Sequence, residues 1–307
     1  MSREPGAPRP LSVIIPTFNE EETIEDCLAS VAFADEVLVV DSFSTDRTVE
    51  IARARGARVV QREYGYSAQQ KNWAIPQARH EWVLLVDADE RVAPGLRQEL
   101  QELLARGPSA DGYWIRRANH FLGKRIRHCG WGTDRVIRLF RRDVARYQDR
   151  QVHAEIDLPG PLPTLEHPLE HHTFRSWSQY WRKLDLYSEW GARQMFQEGK
   201  RTDGVQILLR PVGRFIRMYI LRFGFLEGTH GVVLSMLGAF TVYLKHARLW
   251  EMQRTAGAPA ARAADTAGGA HPAGAPGAAG PSASEAGPLL REQIGRMVDE
   301  ERARRVR

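Results

Sequence analysis

The chain has few cysteines and no long apolar run, and each absence excludes a class of protein. Two cysteines, Cys27 and Cys129, occur in 307 residues, which is too few for a disulfide framework or a thiolate metal cluster. A reducing cytoplasm fits this usage. No run of about 18 uninterrupted apolar residues occurs, so a membrane-spanning helix is not expected. Residues 1–10 are polar and proline-rich, lack the apolar core of a signal peptide, and are expected to be disordered.

Three well-known binding motifs are also absent. No G-x-G-x-x-G follows the first predicted strand and no G-x-x-x-x-G-K-[ST] occurs, which argues against dinucleotide-binding and P-loop proteins. His167 and His171 have the spacing of two ligands on one helix face. However, Pro168 follows His167 and no His-Glu-x-x-His occurs, so a zinc site is not expected.

Short apolar runs alternate with amphipathic segments over the first 90 residues. The predicted strands are residues 11–15, 37–40, 57–61 and 82–86, and the predicted helices are residues 20–31, 46–55 and 67–79. Asn19, with Glu22 three residues later, predicts the cap of the first helix, and Pro76 interrupts the third. This alternation predicts an α/β protein with a parallel sheet. Three further short strands, which predict an antiparallel part and so a mixed sheet, are residues 113–117, 125–129 and 136–140.

Polar residues follow the predicted strands at ends that share one edge of the sheet. Asp87 and Asp89 come directly after the strand at 82–86. The other members are Thr17, Asn19 and Glu20 after the first strand, and Asp41 and Ser42 after the second. A cap or a turn explains each one singly, but together they indicate a ligand site, because open α/β sheets bind ligands outside the carboxyl ends of their strands. Mg²⁺ takes carboxylate and phosphate oxygens as ligands, so this D-x-D predicts a metal–diphosphate site.

Three motifs, in this order and spacing, resemble family 2 glycosyltransferases of the GT-A fold: VIIPTFNE at 13–20, DSFSTDRT at 41–48 and VDAD at 86–89. Three further motifs resemble the WaaE/KdtX-like branch of this family, which builds the lipopolysaccharide inner core. They are GWGTD at 130–134, RLFRR at 138–142 and VHAE at 152–155. The resemblance covers residues 11–250. It implies a GT-A-type, single Rossmann-like nucleotide-binding domain with a mixed sheet over residues 11–175. It also implies an inverting hexosyltransferase that moves a hexose, typically glucose, from a UDP-sugar to a lipopolysaccharide core or related glycolipid acceptor.

The same resemblance implies a donor-binding set, which comprises Pro16, Thr17, Asn19, Glu20, Asp41, Ser42, Lys71, Asp87, Ala88 and Asp89. Within it, Asp41 would meet the uracil. Lys71 would face the diphosphate, and a solvated helix lysine is the alternative. Asp87 and Asp89 would hold Mg²⁺ or Mn²⁺, which neutralises charge on the departing UDP. His153 is the candidate for a third metal ligand, and a donor to phosphate or a structural histidine is the alternative.

An inverting transfer needs a general base near the acceptor hydroxyl, and here the sequence departs from the family pattern. Related enzymes show His-Glu directly, whereas Ala154 separates His153 from Glu155. Glu155 is favoured as the base, with Asp134 and Asp149 as alternatives. The acceptor site is expected to contain Trp131, Arg138 and His171.

Residues 176–254 carry strong helix signals and a mixture of apolar and basic side chains. Between residues 204 and 227, aliphatic and aromatic residues are interleaved with Arg210, Arg214, Arg217 and Arg222. This composition is typical of helices that lie in a membrane interface; packing on the catalytic domain is the alternative. Together with the net charge of +5, this composition predicts a protein held peripherally on the inner face of the cytoplasmic membrane, with an anionic membrane surface and no nucleic acid as partner.

The C-terminal tail has a different composition. Residues 255–288 are rich in Ala, Gly and Pro and predict a disordered linker, and residues 289–307 predict a short charged helix.

Two other functional classes use parts of this pattern. A sugar nucleotidyltransferase also has a metal–carboxylate site on a nucleotide-binding sheet, but it releases pyrophosphate where a glycosyltransferase releases UDP. A non-catalytic, membrane-associated carbohydrate-binding module would explain the basic charge and the C-terminal region, but it would not need Asp87 and Asp89.

Overall fold

The computed structural model describes residues 8–149, 155–174 and 177–266. The chain divides into two units, residues 1–255 and residues 256–307. The strands are β1 (Leu11–Thr17), β2 (Glu36–Asp41), β3 (Arg58–Gln61), β4 (Trp82–Leu85), β5 (Glu90–Arg91), β6 (Gly112–Phe121), β7 (Lys124–Arg125), β8 (Arg135–Arg141), β9 (Arg146–Tyr147), β10 (Ile156–Asp157) and β11 (Leu169–Phe174). The α-helices are α1 (Ile24–Ser30), α2 (Thr48–Ala54), α3 (Ser67–Ala74), α4 (Pro94–Arg106), α5 (Trp177–Gln197), α6 (Gly204–Ile216) and α7 (Thr229–Thr266).

Nine of the described strands form one mixed sheet in the order β3-β2-β1-β4-β8-β6-β11-β5, with β7 paired to β6. The first four run parallel, and β8 is antiparallel to both β4 and β6. Strands β9 and β10 form a separate antiparallel pair. The predicted α/β class with a mixed sheet is therefore confirmed.

Both faces of β1, β2 and β4 are buried, which explains why their sequences read as nearly continuous apolar runs. On one face, Ile15, Val39 and Leu84 pack with residues of α1 and α4. On the other face, Ile14, Leu38, Leu85 and Phe140 pack with the end of α3. Burial of each such side chain stabilises the folded state by roughly 1.5–3 kcal/mol. The sheet is therefore a rigid support for the residues at its edge.

Several element boundaries differ from the sequence prediction. The first helix begins at Ile24 and not after Asn19, whose φ of 53° lies in the left-handed region. The third helix ends at Ala74, where a 3₁₀ turn that contains Pro76 takes over. The predicted strand at 125–129 is reduced to Lys124–Arg125. At Asn19 and at residues 127–129, hydrogen bonds to distant parts of the chain replace the local pattern, whereas the turn with Pro76 ends the third helix locally.

The histidine-rich segment is a strand and not a helix. His171 lies within β11, which pairs with β6 and β5, whereas the His167 imidazole contacts Glu99 of α4 at 3.0 Å. The two side chains therefore do not share a helix face. No group of three or more His, Cys, Asp or Glu side chains suited to hold a metal ion occurs in the described part of the chain.

The C-terminal region is helical, as predicted. A π-helical segment (Arg217–Leu221) and a 3₁₀ helix (Gly224–Glu227) follow α6. Helix α7 continues to Thr266, which is beyond the predicted start of the linker at 255, and the rest of the predicted linker and the charged helix lie outside the described residues. Among the described residues, no helix is both long and apolar enough to span a membrane.

Candidate active site

The carboxyl ends of β1, β2 and β4 meet at one edge of the sheet. Thr17 is paired in register with Asp41, and the Ser42 N–H donates to the Thr17 carbonyl at 2.9 Å. From α3, the Gln70 side chain donates to Ser42 Oγ at 3.2 Å. The predicted convergence of polar strand ends is therefore present in the structure.

Asn19 connects the loops that follow β1 and β2. Its side-chain oxygen accepts the N–H of Thr45 at 2.8 Å, and its own N–H donates to Ser44 Oγ at 2.9 Å. The Glu20 N–H donates to Thr48 Oγ1 at 2.7 Å. Asparagine tolerates the left-handed backbone better than most residues, so Asn19 holds the two loops together where a helix cap was predicted.

Asp41 is completely buried, and protein donors occupy both of its carboxylate oxygens. Oδ2 accepts from the Ser44 N–H at 3.0 Å and from Gln61 Nε2 at 2.9 Å, while Oδ1 accepts from the Ser44 hydroxyl. Asp41 therefore shapes the loop after β2. Its contact with uracil stays a prediction.

Asp87 belongs to a buried ion cluster. The Arg138 guanidinium contacts both Asp87 and Glu90, the latter at 2.8 Å, and Lys71 Nζ lies 3.3 Å from Asp87 Oδ1. Burial raises the pKa of the Asp87 carboxyl, but the charges of Arg138 and Lys71 more than offset this and hold the pKa well below its usual range. The carboxylate therefore stays ionised.

The D-x-D residues form a tight turn closed by Glu90. The Glu90 N–H donates to the Asp87 carbonyl at 2.8 Å, and the Asp87 N–H donates back to Glu90 Oε2 at 2.9 Å. Glu90 is fully buried and its other oxygen faces Arg138 and Arg117. The turn is thus held by a residue that the donor-binding prediction did not include.

Arg138 does not lie where the sequence analysis expected it. It was predicted as an acceptor-binding residue, but it is only 3% exposed and its guanidinium contacts the Asp87 carboxylate. Buried carboxylates need a cation partner, and Arg138 on β8 supplies it. The acceptor assignment is therefore corrected to a structural role.

Asp89 faces different partners. Its Oδ1 lies 3.6 Å from His171 Nε2, and its Oδ2 lies 3.4 Å from Lys183 Nζ. Burial raises the pKa of Asp89, but the contact with His171 and the charge of Lys183 lower it below its ordinary value. Asp89 is therefore ionised and stands between an imidazole and an ammonium group.

Asn119 fixes the orientation of His171. The Asn119 amide nitrogen donates to Asp134 Oδ2 at 2.9 Å, so its oxygen is the acceptor for His171 Nδ1 at 2.6 Å. The Nδ1 atom then carries a hydrogen, and Nε2 is the ring nitrogen that faces Asp89. An oxygen and a nitrogen donor at this separation fit a divalent cation completed by phosphate oxygens.

These contacts assign different tasks to the predicted metal ligands. Asp87 is already bound by Arg138 and Lys71, so Asp89 and His171 are the pair that fits Mg²⁺ or Mn²⁺. His153 lies outside the described residues. Of the remaining predicted donor residues, Pro16 is half-buried and pairs with Val40 in the sheet, and Ala88 is buried and its carbonyl accepts from Arg91.

An open cavity of about 470 Å³ is lined in part by His171, the imidazole that lies beside Asp89. Its lining includes the predicted residues Trp131, Asp134 and His171 together with Arg117 and Asn119. Asp134 Oδ2 accepts from Arg117 at 2.7 Å and from Asn119, while no described residue donates to Oδ1. One oxygen of this carboxylate is therefore anchored and the other is available.

Glu155 lies elsewhere, on the β9–β10 pair. It is exposed, and its carbonyl accepts the Gln148 N–H at 2.9 Å. The pair is attached to α3, because the Tyr147 N–H donates to Asn72 at 2.7 Å. Asp149, the third candidate base, contacts the Tyr66 hydroxyl. These carboxylates lie on the Lys71 side of the site and are not among the residues that line the cavity.

The loop before Trp131 is anchored by Glu227. Its carboxylate accepts the N–H groups of Arg127 and His128 at 2.8 and 2.9 Å and contacts Lys124 Nζ at 2.9 Å. Burial raises the pKa of Glu227, but these hydrogen bonds lower it to about 2. The C-terminal region thereby holds one wall of the cavity.

Two comparisons with known proteins show which family the chain belongs to. The model of the family described as "Glycosyl transferase family 2" matches residues 12–157. A protein of Rickettsia bellii, named as an uncharacterized glycosyltransferase, is 30% identical over 83% of this chain and 90% of its own length. The chain belongs to glycosyltransferase family 2. It is therefore an enzyme of the GT-A class, and the nucleotidyltransferase and non-catalytic alternatives no longer apply.

Two further members or neighbours of this family are similar to the chain. The lipopolysaccharide core biosynthesis glycosyltransferase LpsC of Rhizobium meliloti is 29% identical over 78% of this chain and 93% of its own length. The crystal structure of glucosyl-3-phosphoglycerate synthase from Mycobacterium tuberculosis with Mn²⁺, UDP and phosphoglyceric acid is 28% identical, with a TM-score of 0.32. That match covers 36% of this chain and 44% of the neighbour.

Three residues of this glycosyltransferase site were not predicted from its sequence: Glu90, Asn119 and Lys183. Glu90 directly follows the D-x-D motif, and this position was the available signal, because its complete burial is known only from the structure. Lys183 lies on α5, one turn from the buried Tyr180. A lysine next to the apolar face of an amphipathic helix was therefore the available signal that Lys183 faces the rest of the domain. Asn119 lies within β6 and has no local signal.

The ion cluster predicts a large difference between two neighbouring arginines on β8. Arg138→Met removes the buried cation that the fully buried Glu90 and the partly exposed Asp87 share, which is expected to lower the free energy of unfolding by about 3–5 kcal/mol. Arg141→Met is the matched control, because Arg141 also pairs with two carboxylates, Glu81 and Asp111, but its side chain is 40% exposed. Its loss is expected to cost about 0–1 kcal/mol. Urea unfolding of the two variants measures both, and equal losses would contradict the buried-cluster interpretation.

Proposed function

We propose that this glycosyltransferase inverts the anomeric centre as it transfers a hexose, glucose in the first instance, from a UDP-sugar to a lipopolysaccharide core or related glycolipid. The observation that carries the proposal is the position of Asp89, an ionised carboxylate at the carboxyl edge of the sheet between His171 and Lys183. The similarity to a lipopolysaccharide core biosynthesis enzyme over most of both chains supports the acceptor class.

The donor diphosphate is proposed to lie against Asp89, where Asp89 and His171 would hold Mg²⁺ or Mn²⁺. The ion, when bound, supplies positive charge that stabilises the departing UDP. Lys71 beside Asp87 adds a fixed cation on the α3 side, which agrees with the diphosphate contact predicted for it. Arg138 and Glu90 keep the turn in place and make no contact with substrate.

The acceptor is proposed to enter the cavity lined by Trp131 and Asp134. An inverting reaction needs a carboxylate that takes the proton from the attacking hydroxyl. Asp134 fits this role, because Arg117 and Asn119 anchor its Oδ2 while Oδ1 has no donor from the described residues. The geometry thus favours Asp134 over Glu155, which the sequence pattern favoured.

The metal assignment predicts that Asp89→Asn abolishes transfer and leaves the fold intact. The amide keeps the size of the side chain but removes the charge that would bind the cation. The measurement is UDP release in the presence of donor and acceptor, with Asp185→Asn, an exposed aspartate paired with Arg248, as the matched control. Undiminished transfer by Asp89→Asn, or full activity of the native enzyme in excess chelator, would contradict the assignment.

The two candidate bases are separated by a pair of isosteric variants. Asp134→Asn is expected to slow the chemical step by about two to four orders of magnitude, the usual contribution of a general base, while UDP affinity stays unchanged. Glu155→Gln is expected to retain most of the rate. Single-turnover measurements at donor saturation test this, and an inactive Glu155→Gln beside an active Asp134→Asn would reverse the assignment.

A membrane surface is the proposed location of the acceptor lipid. Helix α6 has no buried residue, and the region from α6 to the following 3₁₀ helix exposes an apolar surface formed by Val205, Leu208, Leu209, Val212, Ile216, Ile220, Leu221, Phe223, Phe225 and Leu226. The interleaved arginines at 210, 214, 217 and 222 have no carboxylate partner among the described residues. Partial loss of water around the Arg214 guanidinium and the charges of Arg217 and Arg222 lower the pKa of Arg214, and anionic headgroups would relieve the repulsion between these arginines.

Together with its arginines, this apolar surface predicts binding to anionic vesicles that is weaker at high salt. Leu208→Asp combined with Val212→Asp is expected to weaken binding at least tenfold, because each apolar side chain contributes roughly 1.5–3 kcal/mol when buried. Flotation with phosphatidylglycerol vesicles at low and high salt is the measurement. Val144→Asp, at an exposed valine outside this surface, is the control, and equal binding by all three proteins would mean that the surface does not contact lipid.

A further inference from the structure

Helix α5 contributes a cation to the donor edge although it lies outside the part of the chain that the family model matches, residues 12–157. Lys183 Nζ lies 3.4 Å from Asp89 Oδ2 and 5.5 Å from the centre of the Phe174 ring. On the other side of the turn, Lys71 Nζ lies 3.3 Å from Asp87 Oδ1. Two ammonium groups, from α3 and α5, therefore flank the D-x-D turn.

The two lysines differ in how accessible they are. The Lys71 side chain is 11% exposed, whereas that of Lys183 is 40% exposed. An ammonium group has three donors, and its contact with Asp89 leaves Lys183 donors that can reach a ligand. The ammonium group of an ordinary lysine is positively charged at neutral pH.

We propose that Lys183 binds the diphosphate of the donor and stabilises the leaving UDP, an inference that rests on the proposed function. In the transfer step the acceptor oxygen forms a bond to the sugar anomeric carbon and gives its proton to the carboxylate base. The bond from that carbon to the β-phosphate oxygen breaks, and its electron pair stays on the oxygen. Charge develops there, and a nearby ammonium group lowers its energy.

A purely structural salt bridge between α5 and the sheet is the competing explanation for Lys183. The two roles differ in which part of the nucleotide they affect. A structural lysine would influence every ligand of the site alike, whereas a diphosphate-binding lysine acts on UDP and not on UMP, which lacks the β-phosphate.

The test is calorimetric titration of UDP and UMP into the native full-length protein and three variants, with Mg²⁺ and again in chelator. Lys183→Met is expected to weaken UDP binding about 10- to 100-fold, the effect of one lost charged hydrogen bond, and to leave UMP affinity unchanged. Lys183→Arg is expected to retain most of the UDP affinity, because it keeps the charge. Lys200→Met, which removes a surface lysine paired with Glu198, is the control and is expected to bind UDP normally.

The outcomes distinguish the inference from the function on which it rests. Native protein that binds UDP, beside a Lys183→Met variant that binds UDP equally well or loses UDP and UMP affinity in parallel, would overturn the role of Lys183 alone. Native protein that binds neither nucleotide would overturn the proposed UDP-sugar donor, and the role of Lys183 with it.

Discussion

The pairing of Arg138 with Asp87 and Glu90 is the interaction on which the rest of the site depends. Two carboxylates lie within four residues at the end of a buried strand, and without a cation they would repel each other and resist burial. Arg138 reaches them because β8 runs antiparallel beside β4, with Leu84 opposite Leu139. The antiparallel strand of the mixed sheet therefore supplies Arg138, the positive charge that stabilises the D-x-D turn.

This arrangement divides the work between two aspartates that look equivalent in sequence. The Asp87 carboxylate contacts Arg138 and Lys71, and the Asp87 N–H donates to Glu90. Asp87 therefore fixes the turn. Asp89 is thereby presented to the open side, beside His171 and Lys183. Through Asn119, the same His171 is connected to Asp134, so the proposed donor and acceptor sites share one hydrogen-bonded framework.

The sequence predicted those features that depend on local signals. Apolar runs, Pro76 and the glycine after α2 located most strands and helices, and the polar strand ends predicted the site edge because parallel strands share their direction. What it missed depends on contacts between distant residues. Arg138 and Trp131 are both near motif segments, but only the fold buries the first and opens the second to the cavity. Asn19 has the local pattern of a helix cap, but its side-chain oxygen accepts the N–H of Thr45, which follows the next strand.

The central claim is that a donor diphosphate and its metal lie at the carboxyl edge of β1, β2 and β4, against Asp89. A crystal grown with UDP and Mn²⁺, measured for the anomalous signal of manganese, tests it directly. The account predicts a manganese peak within bonding distance of Asp89 and His171, with the diphosphate of UDP beside Lys71 and Lys183. A nucleotide bound elsewhere, or a metal held by Asp87 with Arg138 displaced, would contradict it.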